Sequence, residues 1–327
     1  MLTVLSAARG RRSARRIRAY LLDALELIRR TALYSDTVDW TGVRQEAQAV
    51  LTGAGGYADT HTLLREVLLR AGGRHSGLRL PRAAVPPEVR ERLAARAAAL
   101  GPPLPTGRVV EGVGYLRLPG LSDGYRLARD YARAGDEVLG TLLAAAPRAW
   151  VVDVRANTGG NMWPMLAVAA PLLRDGVLGR FEGPDGQSEA WTLEDGRVSL
   201  GGKPTARSRS PLGSGRRAAD APLALLTSGH TASAGEAVVV AFQGQSNVRT
   251  IGAPTAGYTT GNRTHQLRDG ARLVISGSFY ADREGNRFDG PLPVDERIAR
   301  GEPDAVPAAA RAWLSGPGRA GGGDGRG

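Results

Sequence analysis

Residues 221–262 read APLALLTSGHTASAGEAVVVAFQGQSNVRTIGAPTAGYTTGN, and the order of signals in them decides the fold. The apolar run 222–226 has the length of a buried strand. A small polar turn, 227–231, follows it. Ser233-Ala-Gly-Glu236 then leads into 237–242, which is apolar enough for a buried helix. A serine at a strand-to-helix junction has two physical advantages. The turn exposes its hydroxyl, and the first free N–H groups of the helix point at any anion that forms beside it. That is the logic of a nucleophile elbow, although the G-x-S-x-G pattern is absent. The competing reading is a serine that caps its helix and does nothing more.

A second stretch, 149–161, reads AWVVDVRANTGGN. Residues 150–154 form a strand, and Asn157-Thr-Gly-Gly160 is a tight turn before an apolar helix over 162–173. Glycine pairs let backbone N–H groups approach a ligand with no side chain in the way. Together the two stretches resemble the S41 serine peptidases, the C-terminal-processing and tricorn-core group. That family carries a D-x-R-x-N-x-G-G turn, matched here by Asp153, Arg155, Asn157, Gly159 and Gly160. It also carries an S-A-S/G-E nucleophile turn and a G-x-P-T-x-G loop, matched by Ser233-Ala-Gly-Glu236 and Gly252-Ala-Pro-Thr-Ala-Gly257. The resemblance covers roughly residues 112–295 and rests on three motifs in order. It implies an α/β fold: a crotonase/ClpP-like layered βαβ core, preceded by a small N-terminal helical bundle.

The helical periodicity before Pro81 agrees with that division. Ile17, Tyr20, Leu21, Ala24, Leu25 and Ile28 make one stripe within 16–34. Asp39 or Thr41 can cap a second helix at 42–51, and a third runs from 58 or 59 to 70, before Gly72-Gly73. The chain divides into a bundle at 1–80, a linker rich in Pro, Arg and Ala at 81–105, a catalytic core at 106–316 and a disordered Gly-rich tail at 317–327. Within the core, 112–119 alternates as a strand, 124–145 is an amphipathic helix, and 176–202 has the turn signals of edge hairpins. Residues 248–252 and 272–280 are further strands. Between Ser76 and Tyr115 there is no room for an inserted peptide-binding PDZ domain, given that domains need about 50 residues or more.

Composition narrows the partners. The 327 residues carry a formal net charge of +11 and no cysteine, which excludes disulfides and thiolate metal sites. The basic residues are scattered, the only basic run is at 9–18, and aromatic residues are 5%, which together argue against nucleic-acid binding. No segment approaches the roughly 18 apolar residues of a membrane span, and the N-terminus lacks the order of a secretory signal. A cytoplasmic location is expected, with the position of the start codon left open. The motifs imply no cofactor and no metal, and a peptide substrate. The sequence leaves open whether the chain works alone or as a homo-oligomer.

The resemblance also assigns chemistry. Ser233 is the nucleophile. At position 258, where the processing branch has its lysine base, this chain has Tyr258, and Lys203 is its single lysine. The tricorn-like branch takes a histidine from the N-terminal region, which points to His75, with Ser76 beside it as a supporting hydroxyl. His230, three residues before Ser233, is the alternative base. His61 is expected on a solvated helix face, and His265 has no motif support. Asp282, with Glu284 second, is expected to fix the tautomer of the base, although a charged hairpin turn explains both equally. The oxyanion donors implied are the N–H of Ala234 and that of Gly159 or Gly160. The expected function is a serine peptidase acting on short or unfolded peptides. The alternative is a catalytically inactive S41-fold binding protein for a lipid or other small apolar ligand.

Overall fold

A computed structural model describes residues 2–121, 125–210, 218–299 and 304–316. The chain folds into two compact units. One comprises Met1–Arg96, Gly183–Gln187 and Thr260–Ser278; the other comprises Ala97–Glu182, Ser188–Thr259 and Phe279–Gly327.

The first unit begins with helices α1 (Leu2–Thr31), α2 (Trp40–Gly53) and α3 (His61–Gly72). The stripe Tyr20, Leu21, Ala24, Leu25 and Ile28 on α1 is buried against Val43 and Ala47 of α2 and Leu64, Val67, Leu68 and Ala71 of α3. The side chain of Asp39 accepts from the N–H of Thr41 at 3.0 Å, which supplies the cap expected for α2. Short strand β1 (Gly77–Arg79) follows directly. The segment read as a linker contains α4 (Pro87–Leu100).

The second unit opens with a hairpin of β2 (Thr106–Val110) and β3 (Val113–Arg117), then α5 (Tyr125–Ala144), β4 (Ala149–Asp153) and α6 (Met162–Ala169). Four strands, β5 (Gly176–Glu182), β6 (Ser188–Glu194), β7 (Arg197–Leu200) and β8 (Lys203–Arg207), then pair antiparallel in sequence order, as the Gly-rich turns predict. After them come β9 (Leu223–Thr227), α7 (Ala234–Phe242) and β10 (Val248–Gly252). Strands β3, β4, β9 and β10 are parallel neighbours, with β2 antiparallel at the edge. Every residue of β4 and β9 is buried, the mark of a parallel sheet covered on both faces. On one face Trp150, Val152, Leu223 and Leu225 join a core with α6 and α7. On the other, Ala149, Val151, Ala224 and Leu226 pack with Ala310 and Leu314.

Beyond β10 the chain returns to the first unit through β11 (Thr260–Gln266) and most of β12 (Arg272–Ala281). Gly77 of β1 lies opposite Val274 of β12 in an antiparallel pair. Leu273 and Ile275 complete the core under the three helices, so that unit is helices on strands rather than helices alone. The last residues of β12 pair with β5 and with β13 (Arg287–Phe288) in the second unit. Strand β14 (Glu296–Arg297) pairs parallel with β10, and α8 (Ala305–Leu314) ends the described chain. The tail at 317–327 lies outside the described residues. No helix among the described residues is long and apolar enough to cross a membrane.

Candidate active site

Ser233 ends the turn after β9 and starts α7. Its backbone has φ 53° and ψ −116°, a conformation that L residues rarely adopt. Three hydrogen bonds hold the turn in that shape. The hydroxyl of Thr231 donates to the carbonyl of Val154 at 2.9 Å, the N–H of Ala232 donates to the carbonyl of Asn157 at 2.9 Å, and the N–H of Ala256 donates to the carbonyl of Thr231 at 2.9 Å. The elbow is thus fastened to the glycine turn and to the loop after β10.

Asn157 makes the first of those attachments. Its side chain is fully buried. Nδ2 donates to the carbonyl of Leu118 at 3.1 Å, and Oδ1 accepts from the N–H of Gly159 at 3.0 Å. Gly159, at φ 104°, then passes against Ser233: a Cβ on it would fall 2.8 Å from Ser233 Cβ and 3.3 Å from Ser233 Oγ. Of the two glycines proposed as oxyanion donors, Gly159 therefore gives its N–H to Asn157. The N–H groups of Gly160 and Ala234 have no hydrogen-bond acceptor among the described residues. Gly160 is exposed, and Ala234 is the first residue of α7.

Glu236 makes the second attachment, and sequence reasoning gave it no role. It is fully buried. Its carboxylate accepts from the N–H of Ser233 at 2.7 Å, of Gly257 at 2.7 Å and of Tyr258 at 2.8 Å, and from the hydroxyl of Thr255. Burial raises its pKa, and those four donors offset only part of the rise. The S-x-x-E spacing of a capping box was the signal that could have found it. Position 258, where a lysine was sought, instead gives its backbone to Glu236.

A second group missed by the sequence is Tyr280. Its ring is buried between Trp191 and Phe181, with centroids 5.2 Å and 5.8 Å away. The side chain of Ser233 is among the groups that act on its phenol. Burial first, and then the charge of Glu236, push the phenol pKa well above its ordinary value. The phenol is therefore neutral at any physiological pH.

His75 belongs to the other unit. Its Nδ1 lies 2.7 Å from Oγ1 of Thr260. The Thr260 hydroxyl donates to Ser276 Oγ at 3.4 Å, and the Ser276 hydroxyl donates to Asn262 Oδ1 at 2.8 Å. Acting as a base toward Ser233, the ring would carry its proton on Nδ1, facing Thr260, and its lone pair on Nε2. Burial, then the charges of Arg74 and Arg79, lower the imidazole pKa to about 4. Ser76 is tied to the same network. Its hydroxyl donates to the carbonyl of Gly72 at 2.9 Å and lies 3.1 Å from Ser276 Oγ.

Two expectations need correction. The hydrogen-bond partner at His75 Nδ1 is Thr260, not Asp282. Asp282 Oδ1 accepts from the N–H groups of Glu284 and Asn286, and Oδ2 from Asn286 Nδ2, each at 2.9 Å, so its carboxylate is committed to its own hairpin turn. His230 is exposed, and its backbone N–H donates to Ser228 Oγ at 3.0 Å. His61 is buried rather than solvated, because Nε2 meets Asp269 Oδ2 at 2.8 Å and the Tyr20 hydroxyl at 3.2 Å. His265 has its Nε2 buried without a partner.

With this geometry in place, comparison with known proteins is decisive. The model of peptidase family S41 matches residues 112–297, more than half of the chain. The chain belongs to peptidase family S41. Among S41-like relatives, the nisin-resistance protein of Lactococcus lactis subsp. lactis is 27% identical over 288 residues, covering 88% of this chain and 85% of that protein. A lipoprotein from Streptococcus agalactiae has a TM-score of 0.72 and 24% identity, covering 91% of this chain and 96% of its own. The photosystem II D1 C-terminal processing protease has a TM-score of 0.58 at 14% identity, covering 90% and 96%. These two structures share the S41 fold with this chain, which is the layered α/β core with an N-terminal helical region that the motifs imply.

Proposed function

We propose that this S41 protein is a serine hydrolase that cleaves peptides, with Ser233 as nucleophile and His75 as general base. Nε2 of His75 takes the hydroxyl proton of Ser233 as Oγ bonds to the peptide carbonyl carbon. The carbonyl oxygen becomes an oxyanion facing the N–H groups of Ala234 and Gly160, the two donors without acceptors. The protonated imidazole then gives its proton to the leaving amine, and water hydrolyses the acyl-enzyme by the same route. Thr260 holds the imidazole tautomer, the role first assigned to Asp282. The observation that carries this reading is the strained Ser233 backbone with Gly159 packed against it, an arrangement with backbone cost that helix capping alone does not require. Short or unfolded peptides are the substrate class, in keeping with the absence of a PDZ insertion.

The alternative, a non-catalytic carrier of an apolar ligand, has less support. A cleft beside the elbow includes Arg117, Asp153 and Arg155 in its lining, charged groups that an apolar ligand would have to desolvate. The test is labelling with a fluorophosphonate. Wild-type protein should gain one adduct, mapped to Ser233 and lost in Ser233→Ala, and should cleave members of a peptide panel that includes nisin. An unlabelled wild-type protein that cleaves none of them would leave the binding reading standing.

A further inference from the structure

The second unit contains a cleft of about 720 Å³ whose lining includes Tyr115, Arg117, Asp153, Arg155, Thr158 and His230. It lies at the carboxyl ends of the parallel strands β3, β4 and β9, where open α/β sheets place ligands. The lining continues into the elbow in two places. Thr158 precedes Gly159, and His230 belongs to the turn that ends at Ser233.

The charges of this cleft do not cancel. Arg155 Nε and Nη2 donate to Asp153 at 3.0 Å and 2.7 Å, and the Tyr115 hydroxyl also donates to Asp153. Asp153 also accepts from the backbone N–H of Arg155. The carboxylate is thus spent, and it is buried beneath its partner: side-chain exposure is 7% for Asp153 and 28% for Arg155. Arg117 makes no ion pair among the described residues, and it is exposed. It alternates with Leu116, which points into the core, and so shares its face of β3 with Tyr115. The cleft therefore presents one uncompensated guanidinium and the free edge of a second, a donor arrangement suited to the two oxygens of a carboxylate.

We propose that this cleft binds a carboxylate of the peptide substrate, either the free C-terminus or an Asp or Glu side chain, and that Arg117 is its principal cation. This rests on the peptidase reading for the word substrate, but the binding itself does not depend on turnover. Arg117 is thereby a specificity residue, selecting which peptides reach the elbow rather than taking part in bond cleavage.

The test uses full-length Ser233→Ala protein and calorimetric titration with three peptides of one sequence. One has a free C-terminus and no acidic side chain, one is its C-terminal amide, and one is the amide with an internal Glu. Charge-assisted hydrogen bonds of this kind are worth roughly 10- to 100-fold in Kd. The free acid, the Glu-containing amide or both should bind tighter than the plain amide by that factor, which also distinguishes the two sources of the carboxylate. Arg117→Gln should abolish the difference and leave the affinity for the plain amide unchanged. Equal binding of all three peptides, no binding of any, or a preference that survives Arg117→Gln would overturn the proposal. If the preference is found but wild-type protein resists fluorophosphonate, the peptidase reading fails and the carboxylate site stands. Labelling without the preference gives the converse.

Discussion

Nδ1 of His75 and Oγ1 of Thr260, 185 residues apart in the chain, lie 2.7 Å from each other. A hydroxyl partners the ring there without adding a negative charge beside it. Burial and two arginines then act unopposed, and the imidazole pKa falls to about 4. The acid limb of kcat/KM should accordingly have its midpoint near pH 4, not near the ordinary 6.5 or so, with a plateau above it. Arg74→Gln should move that midpoint upward. The same shift affects folding: between about pH 6.5 and 4 the unfolded histidine binds a proton that the folded one refuses, so stability should fall as pH falls through that window. A limb near 6.5 in the kcat/KM profile would contradict the assignment.

Thr260→Val should leave the fold intact and lower kcat, by less than His75→Ala does. Val keeps the volume but cannot accept from Nδ1–H, so the proton is free to move to Nε2 and block the base. An unchanged kcat would mean that something other than Thr260 sets the tautomer.

Gly159→Ala should damage both activity and stability. The new Cβ would sit 2.8 Å from Ser233 Cβ and 3.0 Å from the carbonyl of Ala232, at a φ of 104°. Backbone strain alone accounts for roughly 1–3 kcal/mol. A variant with wild-type melting temperature and wild-type rate would show that the glycine turn does not press on the elbow.

The carboxylate of Glu236 can be tested by two substitutions. Glu236→Gln places an amide NH₂ against donors on one side, whereas Glu236→Ala leaves three backbone N–H groups and a hydroxyl without their acceptor. Each buried donor stranded costs about 1–3 kcal/mol. Melting temperature should drop in both, most in the alanine variant, and fluorophosphonate labelling should slow as the elbow relaxes. Full stability in Glu236→Ala would remove Glu236 from the account.

How far these residues could be read in advance depended on how local their partners are. Ser233, the glycine turn and the cap at Asp39 were legible because each acts within a few residues of itself. Glu236 was legible in principle, since its spacing from Ser233 is that of a capping box. Thr260 was not: it is one polar residue in TGNRTHQ, an edge segment with no apolar alternation, and that also hid β11. His61 was misjudged for the same reason, because the Asp269 that buries it lies 208 residues away. Asp282 was assigned through the family resemblance, and only the turn geometry shows where its oxygens go.

Tyr280→Phe separates a hydroxyl that acts on Ser233 from a ring that merely packs. The ring keeps its contacts with Trp191 and Phe181, so melting temperature should change little. The rate of fluorophosphonate labelling should change, because Ser233 loses a polar neighbour. Labelling at the wild-type rate would confine Tyr280 to packing.

The most direct measurement of the central claim is the single-turnover rate of peptide cleavage in Ser233→Ala, His75→Ala and His230→Ala under identical conditions. Residues that act as a unit lose similar factors when removed singly. The account predicts comparable, large losses for Ser233→Ala and His75→Ala, with His230→Ala retaining its cleavage rate at saturating substrate. If His75→Ala keeps most of the activity while His230→Ala loses it, the base is local to the elbow and the assignment of His75 is contradicted.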